Sequence, residues 1–178
     1  MPDFNTMLKF GKETENRVAT YLQQKQSCSL LPVCNIKSHQ FKGPHIIGAD
    51  LIAPDFIVFG SLNMISKNNH IWIEVKGKFG FSWYRKNSAW QTGVDNSAFS
   101  SYCKVADETG IPVGLLFLGY GEQSKDAPVG SPSGLYGGSI DYLQDNIDHY
   151  FSDYGNGGMV FWNVNDLVKI AELSELCN

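Results

Sequence analysis

Residues 54–76 read PDFIVFGSLNMISKNNHIWIEVK, and this stretch decides how the rest of the chain is interpreted. Ile, Val and aromatic residues favour strands, so the apolar runs 55–59 (DFIVF) and 71–76 (IWIEVK) are predicted to be β-strands. The polar connection 60–69 is short enough to join two antiparallel neighbours. The stretch therefore predicts a β-hairpin.

Charged side chains stand out in the second strand of this hairpin. Side chains alternate between the two faces of a strand, so Glu74 and Lys76 point one way while Ile73 and Val75 point into a core. Antiparallel pairing would bring Asp55, at the start of the first strand, beside Glu74. An isolated Glu-x-Lys is most often a solvated pair on an edge strand, but here two carboxylates and an ammonium are expected to converge.

This set of charges is suited to metal-assisted chemistry. Two adjacent carboxylates repel each other unless a cation lies between them. Mg²⁺ prefers oxygen ligands and is usually held by one or two carboxylates, with Mn²⁺ expected to substitute for it. The metal would polarise a phosphoryl group and lower the pKa of a bound water. Lys76 would orient or deprotonate that water, or stabilise charge in the transition state.

The rest of the chain alternates predicted helices and strands. The predicted helices are 5–24, 97–108, 139–150 and 165–176, the further strands are 30–36, 112–118 and 158–164, and the long loops are 37–48 and 119–138. Run 112–118 is apolar throughout, which is typical of a central strand buried on both faces. The order predicts one α/β domain over residues 1–178, with a central mixed β-sheet flanked by helices.

Pro54-Asp55, the hairpin and Glu74-Val75-Lys76 together resemble the signature of the PD-(D/E)XK nuclease superfamily. The resemblance implies a restriction-endonuclease-like fold and a Mg²⁺-dependent nuclease. It also implies that Asp55, Glu74 and Val75 are metal ligands and that Asp55, Glu74 and Lys76 are catalytic.

The first helix carries a further part of the resemblance. The residues that are similar to the G-x-x-x-E-x-x-V-A-x-x-L pattern of resolvase-like and phage members are Gly11, Glu15, Val18, Ala19 and Leu22. In those members the helix glutamate completes the metal and catalytic site, and it would be Glu15 here, with Glu13 as the alternative. Asp50 is the alternative to Asp55. Residues 90–95, Tyr102, 108–113 and 139–143 are similar to phage-type members as well.

Basic and aromatic side chains follow the second strand directly. Such a mixture suits phosphate contact combined with base stacking, and the alternative is a surface loop whose aromatic side chains cover the core. The residues predicted to bind DNA are Lys78, Trp83, Tyr84, Arg85, Lys86 and Gln91.

Bulk properties narrow the class of protein. A net charge of −4 argues against a protein that coats nucleic acid through bulk charge, but it leaves room for a local basic region. The apolar runs are too short to span a bilayer and the first residues do not resemble a signal peptide, so a cytoplasmic protein without membrane contact is expected. Cys28, Cys34, His39 and His45 form a weak zinc set, and free thiols are the favoured interpretation.

The leading functional hypothesis is a DNA endonuclease of phage type, with a role in recombination, restriction or homing. A catalytically inactive DNA-binding or assembly protein on the same fold is the alternative. An RNA-directed or exonucleolytic enzyme using the same site is a third hypothesis. Cutting both strands at paired positions would require a homodimer, which the sequence does not reveal.

Overall fold

The structure is a computed structural model that describes residues 3–33, 45–46, 51–60, 62, 65–123, 126–153 and 157–176. The helices are α1 (Phe4–Lys25), α2 (Asn96–Thr109) and α3 (Ile140–Asp145), with 3₁₀ turns at Val164–Asp166 and Leu173–Glu175. The first strands are β1 (Ser29–Pro32), β2 (His45–Ile46), β3 (Leu51–Ile52), β4 (Phe56–Phe59), β5 (His70–Lys78) and β6 (Ser82–Tyr84). The later strands are β7 (Ala89–Asp95), β8 (Val113–Tyr120), β9 (Ser133–Ser139), β10 (His149–Phe151), β11 (Met159–Asn163) and β12 (Val168–Ala171).

Six strands form the main sheet, in the order β1-β4-β5-β8-β9-β12. β5 and β8 run parallel, whereas the other neighbours pair antiparallel, so the sheet is mixed. β5 therefore lies inside the sheet with a strand on each side. This arrangement confirms the predicted α/β fold with a central mixed sheet flanked by helices, and it rules out the solvated edge strand that an isolated Glu-x-Lys usually occupies.

Each face of the main sheet is covered by a different helix. On one face, Val18 and Leu22 of α1 pack with Ile71, Ile73 and Val75 of β5. On the other face, side chains of α2 pack with Trp72 and with apolar residues of β8; the α2 residues are Phe99, Tyr102 and Val105. β5 is consequently buried on both faces, and the face that carries Glu74 is not a solvent-facing surface.

A second, four-stranded sheet has the order β10-β11-β7-β6. β6 and β7 form a hairpin directly after β5, and β7 continues into α2 at Asp95. Val94, Val160 and Trp162 of this sheet belong to the same core as α2. The second sheet thus fixes where α2 begins, and α2 in turn covers the charged face of β5.

Several sequence predictions about individual elements are wrong. The predicted loop 119–138 contains most of β9, and the predicted helix 139–150 ends at Asp145 and is followed by β10. The predicted helix 165–176 consists of β12 between two 3₁₀ turns. The predicted loop 37–48 contains the short strand β2, and its other residues lie outside the described part of the chain.

The helix termini follow the expected local chemistry. Asp3 caps α1, since its carboxylate accepts a hydrogen bond from the Thr6 backbone N–H at 3.0 Å. α2 ends at Gly110, whose φ of 64° is the left-handed conformation that glycine adopts without strain. Within the described residues, none of the helices combines the length and the apolar character that crossing a bilayer takes.

Candidate active site

The register of β4 on β5 places Asp55 next to the charged part of β5. Phe56 pairs with Ile73, and the two strands are antiparallel. Asp55, one residue before Phe56, therefore lies beside Glu74 and Val75, which follow Ile73. The Asp55 Oδ2 atom accepts a hydrogen bond from the Val75 backbone N–H at 2.8 Å. This contact ties the half-buried Asp55 carboxylate to the main chain of the central strand.

Glu74 lies in the protein interior with an exposure of 5%. Its Oε1 atom accepts a hydrogen bond from the Tyr102 hydroxyl at 2.7 Å, and the Lys76 Nζ atom lies 2.5 Å from the same oxygen. Lys76 is less enclosed, with 34% of its side chain exposed. The structure therefore brings Asp55, Glu74 and Lys76 together, as the alternation along the strand predicted, and adds Tyr102 from α2.

Helix α1 brings Glu15 to the same region. Gly77 allows the close approach of the helix, because a Cβ at this position would lie 2.6 Å from the Thr14 Oγ1 atom. Glu15, which follows Thr14 in α1, is half-buried, and its pKa is raised by burial and then by the negative charge of Glu74. Glu13 instead points outward, with its carboxylate 3.9 Å from the Lys9 Nζ atom in an exposed pair.

Electrostatics at the site are dominated by the two neighbouring carboxylates. Burial, and then the charge of Glu74, raises the pKa of Asp55 from 3.8 to about 7, although the Val75 N–H opposes this shift. Burial is the largest single influence on Lys76 and lowers its pKa, but the charge of Glu74, the hydrogen bond to Glu74 and the nearby Tyr102 and Asp55 together outweigh burial and hold the pKa above the ordinary value. Lys76 therefore compensates Glu74, while the charged form of Asp55 is unfavourable near neutral pH.

The donor set fits a hard divalent cation in part. Two carboxylates with repelling charges are adjacent, and Mg²⁺ is commonly held by one or two carboxylates plus water. Among the residues that the structure describes, no three His, Cys, Asp or Glu side chains are arranged to hold an ion together. Asp55 and Glu74 are thus the pair that would hold it, with Glu15 nearby and Val75 contributing only main-chain atoms.

Comparison with known proteins defines the fold. No family model matches the chain, and neither does any curated protein. Among solved structures, the Holliday junction resolvase Hjc from Archaeoglobus fulgidus aligns over 89% of this chain and 95% of its own, with a TM-score of 0.50 and 10% identity. The protein therefore shares its overall fold with this resolvase. A nuclease from a fusellovirus aligns over 99% of this chain and 91% of its own, with a TM-score of 0.45 and 10% identity.

The basic residues predicted to bind DNA occupy two different environments. Lys78 is half-buried and its Nζ atom donates to the Gly93 carbonyl at 2.7 Å. Burial, and then the charge of Lys76, lowers the pKa of Lys78 to about 8. Arg85 and Lys86 are exposed at the turn between β6 and β7, and Arg85 lies 3.6 Å from the carboxylate of Asp126.

Trp83, Tyr84 and Trp90 belong to the β6–β7 hairpin and not to a surface loop. Trp83 packs edge-to-face on Trp90 across the hairpin, with 5.3 Å between ring centroids. Tyr84 stacks on His149 at 4.4 Å. Gln91 is buried in β7, and its Oε1 atom has no hydrogen-bond partner in the described part of the chain. These side chains already contribute to packing within the second sheet, and their predicted contacts with DNA remain predictions.

Two alternatives from the sequence, Asp50 as the metal-binding acid and the zinc set, fall largely outside the described residues. Asp50, the alternative to Asp55, lies outside the described residues, and so do Cys34 and His39 of the weak zinc set. Cys28 is buried in the core beneath α1, and its Sγ atom lies 3.6 Å from the Gln26 carbonyl. Burial raises the pKa of this thiol, which disfavours the thiolate that zinc binding needs.

Sequence reasoning did not assign Tyr102 a chemical role. The available signal was its position in α2, where Phe99, Tyr102 and Val105 recur every three residues and all face the core. A tyrosine in an otherwise apolar stripe must find a partner for its hydroxyl. The identity of that partner, Glu74, depends on how α2 packs on β5.

Proposed function

We propose that the protein is a Mg²⁺-dependent deoxyribonuclease that hydrolyses DNA phosphodiester bonds, and that it acts as an endonuclease. The observation that carries this proposal is the buried carboxylate of Glu74, paired with Lys76 and adjacent to Asp55 on a central strand. One solved structure that shares the fold is a Holliday junction resolvase, which is consistent with a nucleic-acid substrate.

The burial of these charges is better explained by a role in catalysis than by a contribution to stability. Removing two charges from water costs several kcal/mol, and well-packed apolar residues are often as stable as a buried ion pair or more stable. A central strand needs only apolar side chains for its packing. The presence of Glu74 and Lys76 in the interior, with a second acid beside them, is therefore best explained by a reaction that uses them.

Asp55 and Glu74 would hold the metal together with the main chain of Val75, and Glu15 of α1, which forms no three-acid site with them among the described residues, would contact it through water. A bound Mg²⁺ would polarise the scissile phosphoryl group and lower the pKa of a water molecule. The raised pKa of Asp55 supports this assignment, because a cation would relieve the repulsion between the two acids. Mn²⁺ is expected to replace Mg²⁺.

Lys76 would act as a cation and not as a base. Its raised pKa keeps the ammonium protonated while it is paired with Glu74, so it has no lone pair with which to deprotonate water. The exposed third of its side chain allows it to contact a phosphate oxygen or an attacking water. Its contribution would be to orient that water and to stabilise negative charge on the phosphoryl group.

The DNA-binding residues would be Lys78, Trp83, Tyr84, Arg85, Lys86 and Gln91, in keeping with their place directly after the catalytic strand. The exposed pair at the β6–β7 turn, Arg85 and Lys86, is the part best placed to contact phosphates. A homodimer would allow both strands to be cut at paired positions. We expect a cytoplasmic enzyme of phage type that acts in recombination, restriction or homing.

The test is a cleavage assay with Mg²⁺ on supercoiled plasmid, linear duplex, single-stranded and branched DNA, comparing the wild type with Glu74→Ala. The proposal expects the wild type to nick or linearise the plasmid and the variant to leave it intact. A wild type that degrades only linear DNA would be an exonuclease. A wild type that binds DNA but cuts none of the four substrates would instead support the inactive DNA-binding protein.

A further inference from the structure

The Glu74 carboxylate receives two donors on a single oxygen. The Tyr102 hydroxyl and the Lys76 ammonium both contact Oε1, at 2.7 Å and 2.5 Å. Neither donor requires the second oxygen of the carboxylate. The orientation of Glu74 is therefore set by what holds Oε1.

The two donors differ in how firmly they are held. Lys76 has a flexible side chain that is 34% exposed, so it can turn towards a substrate phosphate. Tyr102 is 2% exposed, and its ring is packed in the core between α2 and the main sheet. When Lys76 turns away from Glu74, the Tyr102 hydroxyl is the donor that stays in place.

The hydroxyl of Tyr102 carries one proton, and the structure directs it to the Oε1 atom of Glu74. What it offers is one fixed hydrogen bond to a carboxylate that would otherwise be poorly compensated in the interior.

We propose that Tyr102 is a positioning residue that fixes Glu74 through Oε1, so that the carboxylate can bind a divalent cation while Lys76 is released to the substrate. This inference rests on the proposed function, since it assigns Glu74 to the metal. Hydrogen-bonded partners of metal ligands typically contribute about 10–100-fold to metal affinity. Tyr102 is expected to contribute within that range.

The variant is Tyr102→Phe, which keeps the ring in the core and removes only the hydroxyl. The matched control is Tyr136→Phe, because Tyr136 is also buried in the same core and its hydroxyl donates to the Ser133 carbonyl at 3.4 Å, away from Glu74. The readout is Mn²⁺ binding to the protein without DNA, measured by calorimetric titration of wild type, both variants and Glu74→Ala. Thermal unfolding establishes that each variant is folded.

The expected result is that Tyr102→Phe binds Mn²⁺ about 10-fold more weakly than wild type or worse, while Tyr136→Phe binds as wild type does. In cleavage, Tyr102→Phe should need correspondingly more Mg²⁺ for half-maximal rate, with an unchanged half-saturating DNA concentration. Equal Mn²⁺ affinity in Tyr102→Phe and wild type, or equal weakening in both tyrosine variants, would overturn the inference alone. Mn²⁺ binding that is absent from wild type, or unaltered in Glu74→Ala, would overturn the metal proposal as well.

Discussion

Two successive hairpins of this protein differ in how far their charged residues are exposed to water. In the β4–β5 hairpin the charges are enclosed: Glu74 is 5% exposed and shares its Oε1 atom between Lys76 and Tyr102. In the β6–β7 hairpin they are at the turn, where Arg85 is 75% exposed. Water screens the second set, so each residue there contributes little by itself, whereas each charge of the first set depends on the others.

The largest contrast is expected between two lysines, one from each hairpin. Lys76→Met should lower the cleavage rate about 100–1,000-fold, because it removes a positive charge from the site of developing negative charge. Lys86→Ala should leave the maximal rate unchanged and weaken DNA binding only a few-fold, with a salt dependence that is less steep by about one unit. Single-turnover rates and DNA affinities at several salt concentrations separate these effects. Equal losses of maximal rate in the two variants would remove the distinction between the hairpins.

The pH dependence of stability offers a second contrast. The pKa of Asp55 is about 7 in the folded protein against 3.8 as its ordinary value, so the folded state holds more protons between these limits and the metal-free protein loses stability as pH rises through this window. The loss should amount to roughly 2–4 kcal/mol, with a smaller contribution of the same sign from Glu15. Urea unfolding at pH 4.5 and 7.5 measures it.

Asp55→Asn should remove most of this decline, because an amide carries no charge to bury. Urea unfolding of this variant at the same two pH values provides the comparison. A decline that is as steep in Asp55→Asn as in wild type would show that another group causes it. Lys78 adds little to this change, since its lowered pKa of about 8 costs a nearly constant amount of stability over this range and is relieved only at higher pH, where the folded state releases the proton.

Helix α1 carries a matched pair of acids for the next prediction. Glu15→Gln should reduce cleavage about 10–100-fold, because Glu15 lies near enough to Glu74 for their charges to interact. Glu13→Gln should have no effect on cleavage, since this residue makes only a long surface pair with Lys9. Initial rates at saturating Mg²⁺ compare the two. A larger loss from Glu13→Gln than from Glu15→Gln would show that Glu13, and not Glu15, is the acid of α1 that contributes to cleavage.

The smallest effect is expected from Arg85→Ala. Its ion pair with Asp126 is 3.6 Å long and both side chains are about three-quarters exposed, so stability should change by less than about 0.5 kcal/mol. DNA affinity should fall a few-fold at low salt and approach wild type at high salt. A loss of several kcal/mol in thermal unfolding would mean that this turn supports the fold and is not a free basic surface.

The contrast between the hairpins also explains what the sequence could predict. Strand alternation and a short connection suffice to place Asp55 beside Glu74, because both act over a few residues. The partner of Glu74 on α2 is 28 positions away and depends on how α2 packs against β5, which no local pattern encodes. The second sheet contains strands as distant in sequence as β6 and β10, which form its two edges. The sheet was not predicted for the same reason.

Among the strands that the sequence did not predict, β9 has a local composition that contradicts its environment. β9 has the sequence SGLYGGS, and glycine is a weak strand former. Gly137 nevertheless lies where a Cβ would come within 2.4 Å of the Leu115 carbonyl, so close pairing with β8 requires it. β12 has only four residues, and it forms a strand because it pairs with β9 at the edge of the sheet. In β9 tertiary pairing overrides local propensity, whereas β12 contains the strand-favouring residues Val168 and Ile170 and was missed because it is short.

The central claim is that Asp55 and Glu74 share one divalent cation. The direct measurement is the thermal unfolding midpoint of wild type, Asp55→Asn and Glu74→Gln at pH 8, with and without Mg²⁺. At Mg²⁺ concentrations about 100-fold above the dissociation constant, wild type should gain about 2.7 kcal/mol and unfold at a higher temperature. The account predicts that both variants lose this gain; an equal gain in all three proteins, or none in wild type, would contradict it.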